Sequence, residues 1–173
     1  MSPAPAVAIA ALTLLAVLLI MLGEAALSRH NEHVLRARGA VEPHGDVYRT
    51  MAWAYPACFV AMALEGAMFG PAPRDGLAVG LAVFGIAKAL KVWAVSSLGI
   101  RWTFRVLVPP GVALVARGPY ALVRHPNYLA VLGELLGMAL IVWAPVTGVV
   151  SLVGFGALIR KRIAVEDRAL GRQ

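Results

Sequence analysis

Two short runs hold the residues best suited to chemistry. The first, Arg117-Gly-Pro-Tyr-Ala-Leu-Val-Arg-His-Pro-Asn-Tyr128, gathers Tyr120, His125, Asn127 and Tyr128 around Pro126. The second, Arg160-Lys-Arg-Ile-Ala-Val-Glu-Asp-Arg-Ala-Leu170, sets Arg162 and Glu166 one helical turn apart on the same face. An aromatic ring attracts a cation over its face. A guanidinium docks a carboxylate or an ionised hydroxyl, and a histidine or carboxylate beside a hydroxyl serves as general base. Pro126 suits the first turn of a helix, and the free amides of that helix start accept an anion.

Each of these residues also has a purely structural role open to it. Tyr120 and Tyr128 alone read as interfacial anchors. Arg162 and Glu166 alone read as a surface pair worth about 0.2–0.5 kcal/mol, and His125 alone reads as a residue bonding a helix end. His30, His33 and His44 lack the spacing of a metal site and are expected in solvated loop. Cys58 is the single cysteine, so no internal disulfide and no CxxC-type zinc site is expected.

The elements that must position these groups are membrane spans. Of the 173 residues, 60% are hydrophobic and only 14% charged, with a mean hydropathy of +0.77. A soluble domain carries about 45–50% apolar and about 25% charged residues. A span takes about 20 mostly apolar residues, and five segments qualify: 4–22, 51–69, 76–95, 127–143 and 146–159. The first lacks the basic start of a signal peptide and is too long for one. The last two are separated at Ala144-Pro145, where proline breaks a helix, and read as a helical hairpin whose second arm continues into the basic tail. A re-entrant hairpin is the alternative.

The expected fold is therefore an all-α integral membrane protein of five transmembrane helices, one membrane-embedded domain over 1–173. Thirteen of the sixteen lysines and arginines fall in 28–50, 96–126 and the tail, which the positive-inside bias assigns to the cytosol. The N-terminus is then outside and the C-terminus cytosolic. The same bias, with attraction to anionic lipid, accounts for the net charge of +7. No basic groove interleaved with aromatic residues suggests nucleic acid.

At membrane depth, charges are costly and hence informative. Glu65, Lys88 and Glu134 are the candidates, either as a structural ion pair or in a functional role, while Lys91 is expected to snorkel to the interface. Gly133 and Gly137 on span four, and Gly148, Gly154 and Gly156 on span five, read as helix-packing positions. The remaining polar residues gather on one side, which suits an enzyme meeting a soluble cosubstrate and a bilayer-dissolved acceptor better than a transporter with a midplane site.

The run G-P-Y-x-x-x-R-H-P-N-Y, together with R-x-x-x-E-D in the tail, resembles the isoprenylcysteine carboxyl methyltransferase and phospholipid methyltransferase superfamily, in its short bacterial-type branch. Asp167 stands where that family has a second glutamate. Ser28-Arg-His-Asn31, Arg38-Gly-Ala-Val-Glu42 and Leu98-Gly-Ile-Arg-Trp-Thr-Phe-Arg105 are similar to its N-terminal half, whereas 43–50 fits less well. The resemblance implies S-adenosylmethionine as methyl donor, bound on the cytosolic side by 98–128 and 160–170. By analogy the cofactor contacts are Val112, Ala113, Leu114, Val115, Tyr120, His125, Pro126, Asn127, Tyr128, Glu166 and, less directly, Arg105. Arg162 faces the methyl acceptor, with Glu166 and His125 as its catalytic companions, and no metal is involved. The acceptor is a lipophile from the bilayer, either an isoprenylcysteine carboxylate or a lipidic hydroxyl such as a pyrone. The membrane is the inner membrane of a prokaryote or the endoplasmic reticulum of a eukaryote.

Two rivals make different predictions. Membrane sterol reductases share R-H-P-N-Y but bind NADPH, and they place Gly-Glu where Ala130-Val131 stands here. A non-catalytic membrane subunit or carrier predicts that Tyr120, His125, Arg162 and Glu166 are dispensable.

Overall fold

The computed structural model describes residues 4–70, 72–111 and 115–171. They form five α-helices: α1 Ala4–Ala37, α2 Tyr48–Phe69, α3 Arg74–Leu98, α4 Pro126–Ile141 and α5 Pro145–Ala169, with short 3₁₀ turns at Gly99–Arg101 and Gly118–Ala121. The all-helical expectation is met. Three helices, α1, α2 and α3, are long and apolar enough to cross a membrane. The 16 residues of α4 are fewer. α5 joins an apolar half and a charged half in one unbroken helix, as the tail pattern suggested.

The start of the first connecting segment differs from expectation. Residues 28–37 continue α1 rather than form a loop, so His30 and His33 are exposed helical residues. The 34 residues of α1 span about 50 Å at 1.5 Å per residue. Polar side chains on this extension explain its order. Asn31 Nδ2 donates to the Trp102 carbonyl at 2.8 Å, and the Phe104 amide donates to Ser28 Oγ at 2.8 Å. The extension is thus a splint for the segment after α3.

The core runs through Phe59 and Met62 of α2, Leu135 and Met138 of α4, and Phe155 and Ile159 of α5, all nearly inaccessible. α3 and α4 approach closely because Gly133 and Gly137 present no side chain: a Cβ on Gly137 stands 2.7 Å from the Phe84 amide nitrogen. Gly148 does the same against Ala139, but Gly154 and Gly156 have nothing within 4 Å. These last two are therefore not packing positions among the described residues.

The break before Pro145 is sharp, with Trp143 at a φ of 57°. Glu65 secures it. Its carboxylate accepts from the Val146 amide at 3.0 Å, the Thr147 amide at 2.6 Å and the Thr147 hydroxyl. The start of α5 is thus capped by a side chain from α2, where a negative charge also meets the helix dipole favourably.

The other deep charges form one cluster. Glu24 of α1 bonds Lys88 at 2.9 Å and Lys91 at 2.7 Å, both on α3. Glu134 of α4 meets the same two lysines at 3.1 and 3.3 Å and accepts a hydrogen bond from the Tyr55 hydroxyl of α2. Lys91 is 4% exposed, so it does not snorkel: two carboxylates within reach compensate its burial.

Candidate active site

Arg162 lies on α5 and is buried. Its Nε donates to the Tyr128 hydroxyl at 2.9 Å, its Nη1 to Asp46 Oδ1 at 3.0 Å, and its Nη2 to the Phe104 carbonyl. The Tyr128 hydroxyl in turn donates to Glu166 Oε2 at 2.8 Å. Arg162 and Glu166, four residues apart on α5, are therefore joined through a phenol from α4. This interior role replaces the reading of Tyr128 as an interfacial anchor.

His125 completes the group. It precedes Pro126, which sits buried at the first turn of α4 as its ring geometry favours. The His125 ring stacks on Tyr128 with centroids 5.5 Å apart. Its Nδ1 is 3.7 Å from Glu166 Oε2 and its Nε2 is 3.4 Å from Asp167 Oδ1. The amide of Tyr128, in the first turn, already donates to the His125 carbonyl at 3.2 Å and Pro126 has no N–H, so the helix start has fewer amides to offer an anion than the sequence suggested.

The remaining expected residues divide. Tyr120, Val115, Asn127 and Arg105 line the same cavity as His125 and Glu166. Burial, and then the Glu166 charge, push the Tyr120 hydroxyl above its ordinary range, so it stays a neutral donor. Asn127 Oδ1 accepts from Trp102 Nε1 at 3.3 Å. Arg105 pairs with Glu42 at 2.8 Å and Glu32 at 3.4 Å and lies over the Tyr48 ring at 4.3 Å. Partial burial raises the Glu42 carboxyl, but hydrogen bonds from Arg36 and Arg105 outweigh it and hold the group below its usual value. Arg105 is thus committed to tying the Val41–Val108 bridge region to α1. Val112, Ala113 and Leu114 lie outside the described residues.

Asp46 was not foreseen. Its Oδ1 accepts from the Tyr48 amide at 3.1 Å and its Oδ2 from the Val106 amide at 3.0 Å, besides the bond from Arg162. An aspartate two residues before a helix is a turn signal, but nothing in its spacing links it to an arginine 116 residues away.

Two cavities of different character meet here. Both are about half open; one, of about 160 Å³, carries Arg101, Arg105, Tyr120, Arg124, His125 and Glu166 on its wall. The other, of about 500 Å³, is walled by apolar side chains such as Leu18, Met21, Met51, Pro56, Val131 and Phe155. Trp102, Thr103, Asn127, Tyr128 and Arg162 line both. The Arg162–Tyr128 pair therefore stands at the junction of a polar cavity and an apolar one.

Comparison with known proteins agrees with the residue pattern. Residues 78–172 match the Isoprenylcysteine carboxyl methyltransferase (ICMT) family. A protein of Bacillus subtilis (strain 168), named Uncharacterized protein YpbQ, is 32% identical over 158 residues, 91% of this chain and 94% of the relative. A Haemophilus influenzae (strain ATCC 51907 / DSM 11121 / KW20 / Rd) protein, named Uncharacterized protein, is 26% identical over 160 residues, 92% of this chain and 93% of its own. No solved structure matches the chain.

Proposed function

The chain belongs to the isoprenylcysteine carboxyl methyltransferase family, a family of membrane methyltransferases, and on that premise we propose that it is an S-adenosylmethionine-dependent O-methyltransferase with a lipophilic acceptor. The observation that carries this reading is the junction of the two cavities at Arg162 and Tyr128. S-adenosylmethionine, when bound, supplies an electrophilic methyl group on a sulfonium cation. One part of the smaller cavity suits such a cation, with a carboxylate at Glu166 and aromatic rings at Tyr120 and Tyr128, while Arg101 and Arg124 on the same wall suit the donor's own carboxylate. At about 160 Å³ that cavity is below the usual range for ligand sites, about 300–1,000 Å³. It is half open, however, and the expected contacts Val112, Ala113 and Leu114 lie outside the described residues. The apolar cavity falls within that range and suits an acceptor entering from the bilayer.

The charge balance favours a hydroxyl over a carboxylate as the acceptor. Asp46 already neutralises Arg162 at 3.0 Å, so a carboxylate acceptor binds as a second anion beside a guanidinium that is already paired. A hydroxyl instead accepts from the guanidinium while Asp46 stays, since only three of the five N–H donors are engaged by the bonds described. His125 and Glu166, on the wall of the smaller cavity, are the bases that can take the hydroxyl proton. Transfer from a cation to an anion erases charge, so a site with little water favours it once both partners are positioned. In this reading α4 and α5 cross the bilayer with the other three helices, and the whole chain acts as one membrane-embedded domain with its reaction on the cytosolic side.

The test is to incubate the purified protein in nanodiscs with methyl-labelled S-adenosylmethionine and a membrane lipid extract. Label is expected in a lipophilic O-methyl product, and Arg162→Lys lowers the rate about 100-fold, the usual cost of a misplaced positioning group. Label confined to phospholipid amines overturns the O-methyl assignment. Tight NADPH binding with no response to S-adenosylmethionine overturns the methyltransferase.

A further inference from the structure

The cluster of Glu24, Tyr55, Lys88, Lys91 and Glu134 is larger than helix pairing requires, and one side of it is turned to the apolar cavity. Ionised groups in a membrane bundle are expensive wherever they sit. Here Glu24, Tyr55 and Lys91 form a polar patch on the cavity wall, apart from the polar residues Thr103, Asn127, Tyr128 and Arg162 at the junction and set among leucine, methionine, alanine, proline, valine and phenylalanine. Lys88 and Glu134 are not on that wall and close the cluster from behind.

The patch has bonding capacity left. The Lys91 ammonium carries three donors, and two are taken by Glu24 at 2.7 Å and Glu134 at 3.3 Å. The Tyr55 hydroxyl gives its proton to Glu134, and its oxygen retains a lone pair. The patch thus presents a donor and an acceptor to whatever fills the cavity.

Its depth relative to Arg162 follows from helix geometry. Ser28 stands level with the junction, because it binds Phe104, whose carbonyl holds Arg162. Glu24 is one turn earlier on α1, about 6 Å at 1.5 Å per residue. Glu134 is six residues beyond Tyr128 on α4, about 9 Å by the same rise.

We propose that Lys91, Glu24 and Tyr55 form a second polar subsite for the lipophilic acceptor, so that its head group bears two oxygens: one reacting beside Arg162, and one carbonyl-like oxygen, a turn deeper, accepting from Lys91. This rests on the methyltransferase reading for the identity of the ligand but not for its binding. A lipophile with a lone hydroxyl leaves the patch facing hydrocarbon, which loses affinity because its donor goes unpaired.

Two probes separate the cases: para-dodecylphenol, and para-dodecanoylphenol, whose chain of the same length begins with a carbonyl across the ring from the hydroxyl. Binding to detergent-solubilised protein is followed by quenching of tryptophan fluorescence, Trp102 being on the cavity wall. The wild type should bind the ketone about tenfold more tightly, the effect of one hydrogen bond to a charged group. The double variant Glu24→Gln, Lys91→Met removes one charge of each sign and leaves the Lys88–Glu134 pair, so no buried ion is left uncompensated. It should bind both probes equally, with the wild-type affinity for the phenol. Equal binding by the wild type, failure to bind either probe, a preference that survives in the variant, or loss of both probes together overturns the subsite. A binding preference without methyl transfer in nanodiscs removes the catalytic reading and leaves the subsite standing.

Discussion

At the scale of single residues, Asp46 and Glu166 hold Arg162 in different ways. Asp46 neutralises the guanidinium directly, whereas Glu166 reaches it only through the Tyr128 phenol. The two carboxylates should therefore fail differently. Asp46→Asn keeps a hydrogen-bond acceptor but frees one positive charge. With a carboxylate acceptor KM should fall, and with a hydroxyl acceptor kcat should fall about tenfold as the guanidinium loses its fixed position. Steady-state assays with one acceptor of each kind measure both, and an unchanged KM for the carboxylate refutes the charge-balance argument. The residues around R-H-P-N-Y were legible in the sequence because their relation is local: Pro126 starts a helix, and the turn before it fixes His125. Asp46 was not, because its partner arrives through folding from the opposite end of the chain. Lys91 was misread for a similar reason. Its burial depends on carboxylates from α1 and α4, which no span taken alone reveals.

Among the elements, the α3–α4 contact is the least tolerant. Replacing Gly137 with alanine puts a Cβ 2.7 Å from backbone and side-chain atoms of Phe84, so the helices must separate. The expected destabilisation is about 1–3 kcal/mol, the usual range for overpacking. Gly154→Ala is the matched control, since it meets nothing within 4 Å and should change stability by less than about 0.5 kcal/mol. Thermal unfolding in detergent compares the two, and equal effects refute the packing assignment. Both glycines looked alike as sequence. What separates them is the neighbouring helix: α3 lies against one, while the other has no described neighbour. Glu65 carries the same lesson in reverse. It resembled a functional intramembrane charge, yet its carboxylate is taken up by the first turn of α5, so its work is to fix where that helix begins.

For the whole molecule, the arginine asymmetry makes the most direct prediction. On a Cys58→Ala background, a cysteine at Arg38 or Arg168 should react with an impermeant maleimide only when the cytosolic face is open, and one at Asp75 only from the opposite face. Labelling of all three from one side removes the proposed topology. The number and order of helices were legible because hydropathy reports them directly. Less legible was α1, whose polar final third reads as loop when taken alone. It stays helical because Ser28 and Asn31 bind the segment after α3. A bilayer's hydrocarbon is about 30 Å thick, so a rod of about 50 Å stands well clear of it at one end. The same helix carries part of the apolar cavity's wall, so under the proposed function the altitude of the chemistry above the hydrocarbon is set by a stiff strut and not by a hinge. Acceptors should then be sorted by how far their head can be lifted out of the membrane while the tail stays anchored, and tails that extend past the chamber should matter little.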